Sequence, residues 1–266
     1  MNVKKKALIA GVVMAMLTAT GMEVQTDNPA LQNLCSVKKA EAGLGGLGGS
    51  LGGIAKKAAS KALNVDVDSL QNNEKSMMLN LYNSAVCYAK ASINISEALG
   101  LDNGQRAQMQ AALTNLQNNK TDLGSIQRVT EATKMDQKTV QDAADNLMNS
   151  DDKAKIEKAN ELIKQSKVER RAANKYKLLA AKDAVSIISG TVKALAKGGD
   201  SLGDKLEVVQ KLSGTAKTAK SITDAIGSNH KSMTTALKTY EKKNNIADVS
   251  DDDAMKQMKK SGSVME

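Results

Sequence analysis

The chain from Asp68 onward is composed of helix-forming residue types in a helical pattern. Its 266 residues include a single proline, Pro29, and no Phe or Trp. Beyond Asp68, apolar residues recur three and four apart, and no alternating pattern persists for more than a few residues, as a strand would require. The sequence therefore predicts an all-α protein, organised as an elongated antiparallel helical bundle with coiled-coil-like packing.

The amino-terminal residues have the pattern of a secretory signal. Three lysines within Met1 to Lys6 precede the apolar run Ala7 to Ala19, which is too short to span a bilayer. Two small-residue sites could end the pre-region: Ala40-Glu41-Ala42, which fits the cleavage pattern better, and Ala19-Thr20-Gly21, which lies at the usual distance. We expect an exported protein, periplasmic or extracellular, with a signal and pre-region over 1–42 or, alternatively, 1–21.

The cleavage site decides the chemistry of the two cysteines. Cleavage after residue 42 removes Cys35 and leaves Cys87, which is then expected to be a buried thiol. Cleavage after residue 21 keeps both, and an oxidising compartment could join them. Removing residues 1–42 takes five lysines and three acids from the formal charge of +9 and leaves +7, a balance that favours anionic partners.

A glycine-rich segment, Gly43 to Gly53, follows the pre-region. Its seven glycines would cost a helix roughly 6 kcal/mol relative to alanine, so we expect a tail or linker over 43–53. Glycines four residues apart could instead form a close-packing face in a membrane or between copies of the chain. The candidate membrane or self-association element is Leu44, Gly45, Leu47, Gly49, Leu51, Gly53 and Ile54.

The bundle domain is predicted over 54–246, before a charged C-terminal tail over 247–266. Capping residues and glycines place its first helices at about 68–99, 105–116, 122–148 and 152–197. Gly190 is the expected site of a bend in the last of these helices. In the tail, Ser250 is expected to cap only a short turn that frays readily.

The clearest apolar seam follows a capping box formed by Ser201 and Asp204. Its mean spacing is close to the 3.5 residues of a coiled coil, so this helix is expected to pack against another. Gly227 is expected to end it, and Ser228-Asn229 to begin a further helix that ends near Asn245. The candidate interaction seam is Leu202, Leu206, Val209, Leu212, Ala216, Ala219, Ile222 and Ile226.

The residues needed for catalysis or metal binding are scarce. His230 is the single histidine and is expected to lie at the surface in the first turn of a helix. The acidic clusters lack the glycine and the glutamate of a calcium-binding loop, and no phosphate-loop or dinucleotide motif is present. We therefore predict a protein that is not an enzyme, with no catalytic residues, no metal site and no cofactor.

Two functions follow from this inventory. The first is an exported structural or protein-interaction module of the cell envelope or extracellular space, which binds a protein partner or associates with itself. The alternative is a membrane-active protein that uses the glycine-rich tract and the adjacent amphipathic helix to bind or enter lipid. An anionic envelope surface is a possible partner; specific nucleic acid and a small-molecule substrate are not expected. The sequence leaves open the partner and the oligomeric state.

Overall fold

The structure, a computed structural model, describes residues 67–120, 122–198 and 205–265. Within these residues it contains seven α-helices packed as a bundle, and no strand, so the all-α prediction is confirmed. The helices are α1 (Val67–Ala98), α2 (Asn103–Asn118), α3 (Leu123–Ala132), α4 (Gln137–Met148), α5 (Lys153–Gly198), α6 (Lys205–Lys243) and α7 (Asp251–Lys260).

Contacts between residues divide the chain into two compact units. The first unit includes the described residues 67–75, 182–198 and 205–217. The second unit includes 76–120, 122–181 and 218–265, and it contains α2, α3, α4 and α7 entirely. The predicted signal, the glycine-rich tract and the predicted Ser201–Asp204 capping box all lie outside the described residues.

The long helix α5 begins and continues as the sequence predicts. The Asp152 side chain accepts a hydrogen bond from the backbone N–H of Lys155 at 3.0 Å and so caps the first turn. The helix then runs through Gly190 to Gly198. Ile187 and Ile188 before this glycine and Thr191 after it are buried, which favours continuation of the helix. The bend expected at Gly190 remains a prediction.

The predicted helix over 122–148 is two helices, α3 and α4. A short segment separates them, in which the Asp136 carboxylate accepts hydrogen bonds from the backbone N–H and the hydroxyl of Thr139 at 2.8 and 2.9 Å. These bonds cap α4, and they stabilise the interruption because they satisfy donors that a new helix start exposes. The weakly apolar middle of the predicted helix marks this position.

The prediction that Gly227 ends a helix is wrong, because α6 is continuous from Lys205 to Lys243. One glycine in a helix costs about 1 kcal/mol relative to alanine, whereas burial of a Met or Leu side chain contributes about 1.5 to 3 kcal/mol. Met233 and Leu237, just beyond the glycine, are both fully buried. Asn229, predicted to start the next helix, instead donates a side-chain hydrogen bond to the carbonyl oxygen of Thr130 at 3.4 Å.

Three helices end in the same backbone motif, with one residue in the left-handed conformation. After α1, Gly100 has φ +63°, and the N–H of Leu101 bonds to the carbonyl oxygen of Ser96 at 2.9 Å. Asn245 after α6 (φ 52°) and Gly262 after α7 (φ 66°) are followed by equivalent bonds. This motif satisfies carbonyl groups at the helix end and favours glycine or asparagine at the left-handed position.

In the second unit, α5 runs antiparallel to α6, and it also runs antiparallel to α1. Asn160 accepts a hydrogen bond from the Tyr240 hydroxyl at 2.8 Å, whereas Arg170, further along α5, donates to the Thr234 hydroxyl at 3.1 Å. The antiparallel course of the whole bundle and its coiled-coil packing remain predictions. The same reversal relates α5 to α1, where contacts join Ala173 to Ser84 and Lys158 to Glu97.

The C-terminal segment is packed more closely than its composition suggests. Ser250 caps α7 by accepting a hydrogen bond from the backbone N–H of Asp253 at 3.1 Å. Ala254 and Met258 of α7 are buried, and the backbone of Met265 is hydrogen-bonded to Asn83 of α1. In place of a short turn, α7 is a helix of ten residues, and it contributes apolar side chains to the core of the second unit.

Candidate functional site

A cleft of about 580 Å³ lies in the second unit, lined by α5, the C-terminal half of α6 and the segment after α6. Its volume is in the range of small-molecule sites in proteins. The lining contains five cationic side chains and two carboxylates, which leaves an excess of three positive charges with a neutral imidazole. The lining residues are Lys167, Arg170, Arg171, His230, Thr234, Thr235, Lys238, Glu241, Lys242, Ile246 and Asp248.

The α5 side of the cleft contributes Lys167 and Arg170, both paired with Glu241. The Lys167 ammonium lies 3.0 Å from one Glu241 oxygen, and the Arg170 guanidinium bonds to the other. Arg170 is only 3% exposed, and its Nε is buried with no hydrogen-bond partner among the described residues. The pairing compensates charges that would be costly to bury alone, and it fixes the cleft wall.

Arg171 on α5 binds the segment after α6. Its Nη2 donates to both carboxylate oxygens of Asp248 at 2.9 and 3.0 Å, and its Nη1 lies 3.5 Å from Asp251. The hydrogen bonds from Arg171 hold the pKa of Asp248 below its usual range. One turn further along α5, Lys175 pairs with Asp252 at 2.9 Å. Arg171 and Lys175 of α5 therefore form ion pairs with carboxylates of the segment that follows α6.

The α6 side of the cleft presents a row of hydrogen-bond donors at four-residue spacing: His230, Thr234, Lys238 and Lys242. This spacing places successive side chains one above another on the same helix face. Lys238 and Lys242 are exposed, and neither forms an ion pair within the part of the chain that the structure describes. Among the described residues, they are the cleft cations without an ion-pair partner.

The position of His230 corrects the sequence prediction. It lies inside α6 and lines the cleft, not in the first turn of a helix. Burial, together with the positive charges of Arg170, Lys177 and Arg171, lowers the pKa of His230 to about 4. The imidazole is therefore neutral at neutral pH, mainly because burial disfavours its charged form and to a lesser extent because of the neighbouring cations.

A buried acid lies on another face of α5. Glu169 is 3% exposed and accepts hydrogen bonds from Asn94 at 2.8 Å and from Gln165 at 3.1 Å. Burial raises its pKa to about 7, although these two hydrogen bonds and the charge of Lys90 act in the opposite direction. Such a shift can mark a functional group, but here both carboxylate oxygens are already hydrogen-bonded by the side-chain amides of Asn94 and Gln165.

The predicted interaction seam lies on α6, and the described side chains in it are covered. Val209, Leu212, Ala216, Ala219, Ile222 and Ile226 are all buried. Leu202 lies outside the described residues, and Leu206 is placed in α6 without a described side chain. A partner could reach the buried part of the seam only after α6 separated from its neighbours. Binding of a partner through this seam remains a prediction.

The remaining predictions concern the two cysteines and the glycine-rich element, and only Cys87 lies within the described residues. Cys87 is fully buried, and burial raises the pKa of its thiol, as expected of a small apolar core residue. Cys35 lies outside the described residues, and so does the candidate membrane or self-association element, which is Leu44, Gly45, Leu47, Gly49, Leu51, Gly53 and Ile54.

The cleft itself was not predicted from the sequence. A regular signal for it exists, because His230, Thr234, Lys238 and Lys242 recur every four residues along α6. The predicted helix boundary at Gly227 hid this continuity by placing His230 at a helix start. The partners from α5 could not be inferred, since Arg170 and Glu241 are 71 positions apart in sequence.

Two properties of the described residues bear on the kind of site. They contain no group of three or more potential metal-binding side chains. No described helix has the length and apolar character needed to cross a bilayer. Comparison with protein-family models, curated proteins and solved structures finds no match to the chain.

Proposed function

We propose that this chain is an exported, non-enzymatic helical binding module whose basic cleft engages an anionic partner in the cell envelope or extracellular space. The observation that carries the proposal is the excess of three positive charges in a cleft large enough for a ligand. A concave basic surface concentrates anions, since field lines converge in a cleft with low-dielectric walls. Export is inferred from the amino-terminal sequence pattern.

The single histidine provides a direct test of this function. Because His230 lines the cleft, its Hε1 ring proton gives one isolated NMR signal that reports on occupancy. Small anions added to the full chain should shift this signal and raise the histidine pKa from about 4, since a nearby negative charge stabilises the imidazolium. A histidine signal that stays constant up to millimolar anion would contradict the proposal.

The membrane-active alternative depends on the glycine-rich tract and the amphipathic segment that follows it. Glycines four residues apart and interleaved leucines support it at the level of sequence. Co-sedimentation with anionic liposomes, using the chain with and without residues 43–63, separates the two functions. Binding that is lost with this deletion favours membrane activity, whereas binding that needs the cleft lysines favours the module proposed above.

A further inference from the structure

The cleft separates cations that are already paired from cations that are free to bind. Arg170 and Arg171 direct their guanidinium groups to Glu241 and Asp248. Lys167 contacts both of these carboxylates, at 3.0 and 3.6 Å, and also donates to the carbonyl oxygen of Ile246 at 3.2 Å. All the cations of the α5 wall therefore have partners within the protein.

The remaining donors all belong to α6. Lys238 and Lys242 have no ion-pair partner within the described ranges, and the Thr235 hydroxyl has no hydrogen-bond partner there. Thr234 accepts a hydrogen bond from Arg170, which leaves its own hydroxyl proton available to a ligand. Neutral His230 adds one ring N–H. The unused side of the cleft thus presents donors and positive charge, with no unpaired carboxylate.

The type of these donors indicates the chemistry of the ligand. Planar carboxylates are best matched by the two parallel N–H groups of an arginine, and both arginines of the cleft already bind carboxylates of the protein. Lysine ammonium groups and hydroxyls are single-point donors, which suit the several oxygens of a tetrahedral phosphate. Lys238 and Lys242 are one turn apart, with Cβ atoms about 5 to 6 Å from each other, so two phosphates could be contacted together.

We infer that the cleft binds a ligand carrying two linked or neighbouring phosphate groups, through Lys238 and Lys242 with the hydroxyls of Thr234 and Thr235. This inference rests on the proposed function, which requires only that the cleft bind anions. It adds that phosphate is preferred over carboxylate and that two lysines of α6 provide the recognition. A free phosphate compound and a phospholipid head group share this chemistry.

The test is titration calorimetry of the full chain with inorganic diphosphate and with citrate, which have similar total charge near neutral pH. We expect diphosphate to bind at least about tenfold more tightly than citrate. The double variant Lys238→Gln/Lys242→Gln should weaken diphosphate binding about tenfold or more, because it removes two charge-assisted hydrogen bonds. Liposomes containing phosphatidylglycerol, tested with the same variant, identify whether a lipid-borne phosphate is preferred over a free one.

A matched control is available on the same helix. Lys231 and Lys243 of α6 are exposed and do not line the cleft. The variant Lys231→Gln/Lys243→Gln changes the net charge equally. It should alter diphosphate affinity less than about threefold, because salt screens the attraction of charges that do not contact the ligand. Circular dichroism and thermal unfolding of both variants verify that each is folded.

The possible failures are distinguishable. Equal affinity for citrate and diphosphate, both dependent on Lys238 and Lys242, would overturn the phosphate preference and leave the proposed function intact. Equal losses in the cleft variant and in the control variant would overturn the assignment of the site. Absence of binding by either anion, with an unchanged His230 signal, would overturn the inference and the proposed function together.

Discussion

Asn83 of α1 and Met265, near the end of the chain, exchange two hydrogen bonds. The Asn83 amide donates to the carbonyl oxygen of Met265 at 2.8 Å and accepts from its backbone N–H at 2.8 Å. Asn83 is only 1% exposed, so its amide is held in the core of the second unit. One side chain thereby fixes the segment that follows α7.

Replacing Asn83 should release this C-terminal segment. Asn83→Ala removes two hydrogen bonds worth about 1 kcal/mol each, so local opening of residues 261–265 should become about tenfold or more frequent. Hydrogen exchange and the rate of carboxypeptidase trimming measure this opening. Asn72→Ala, at an exposed position of α1, is the control and should leave both rates unchanged. Equal trimming of the two variants would show that the hydrogen bonds do not hold the segment.

The same substitution at two glycines should change stability in opposite directions. Gly100 has φ +63°, and a side chain there is strained, so Gly100→Ala should lower the free energy of unfolding by about 1 to 2 kcal/mol. Gly214 lies inside α6, and an added Cβ would meet no atom within 4 Å. Gly214→Ala should therefore raise this free energy by about 0.5 to 1 kcal/mol.

Urea unfolding of the two alanine variants beside the unmodified chain measures both effects. A stabilising Gly100→Ala would mean that the left-handed position after α1 is not required. A destabilising Gly214→Ala would mean that this position is more closely packed than its surroundings in α6 indicate.

Glu169 should make stability depend on pH near neutrality. Its pKa is raised from 4.5 to about 7 by burial, so the folded state favours the protonated acid. The associated stability is present below pH 4.5 and is lost as pH rises to about 7. Glu169→Gln has no carboxylate to ionise, so at pH 8 it should unfold with a free energy higher by on the order of 3 kcal/mol.

The contrast between two pH values isolates this contribution. At pH 4.5 the glutamine variant should come within about 0.5 kcal/mol of the unmodified chain, because the glutamic acid is then protonated in the folded state and only half ionised in the unfolded state. Chemical unfolding at both pH values measures the difference. A constant offset between the two proteins would indicate a packing effect of the substitution and not ionisation of Glu169.

The pairing of Glu241 should matter far more than that of an exposed acid. Glu241→Gln leaves Lys167 and Arg170 without their shared carboxylate, and both side chains are largely buried. We expect a loss of about 3 to 5 kcal/mol in the free energy of unfolding. Asp142→Asn, which breaks an exposed pair with Lys138, should cost less than about 0.5 kcal/mol.

Thermal and urea unfolding of the two acid variants measure this difference. Similar small losses of unfolding free energy in both variants would show that water solvates Lys167 and Arg170 well enough for the fold to tolerate the absence of the Glu241 carboxylate. That result would also weaken the division of the cleft cations into paired and free.

Local sequence patterns predicted much of the fold. The Asp152 cap, the Gly100 ending and the apolar seam of α6 are short-range signals, and the structure contains each feature where residues are described. The prediction that α6 ends at Gly227 was wrong because a glycine in a helix costs about 1 kcal/mol of stability, which is less than the gain from burying the side chains beyond it. Local propensity alone could not weigh that burial.

The candidate site was less accessible to sequence analysis. The donor row of α6 is periodic, but its meaning depends on which charges of α5 are already neutralised. That information lies in contacts such as Arg170 with Glu241 and Arg171 with Asp248, which join residues 71 and 77 positions apart. The folded structure is therefore needed to distinguish the cleft cations that form ion pairs from those that do not.

The distance in sequence between these partners also determines when the cleft can exist. A chain is synthesised from its amino end, so Arg171 of α5 is made long before Asp248. Until Glu241 and Asp248 have been synthesised, the cleft cations Lys167, Arg170 and Arg171 lack the carboxylates that they contact in the folded chain, and this wall of the cleft cannot form. The cleft therefore requires a chain that has been synthesised at least as far as Asp248, and a shorter fragment would leave the three cations of α5 exposed.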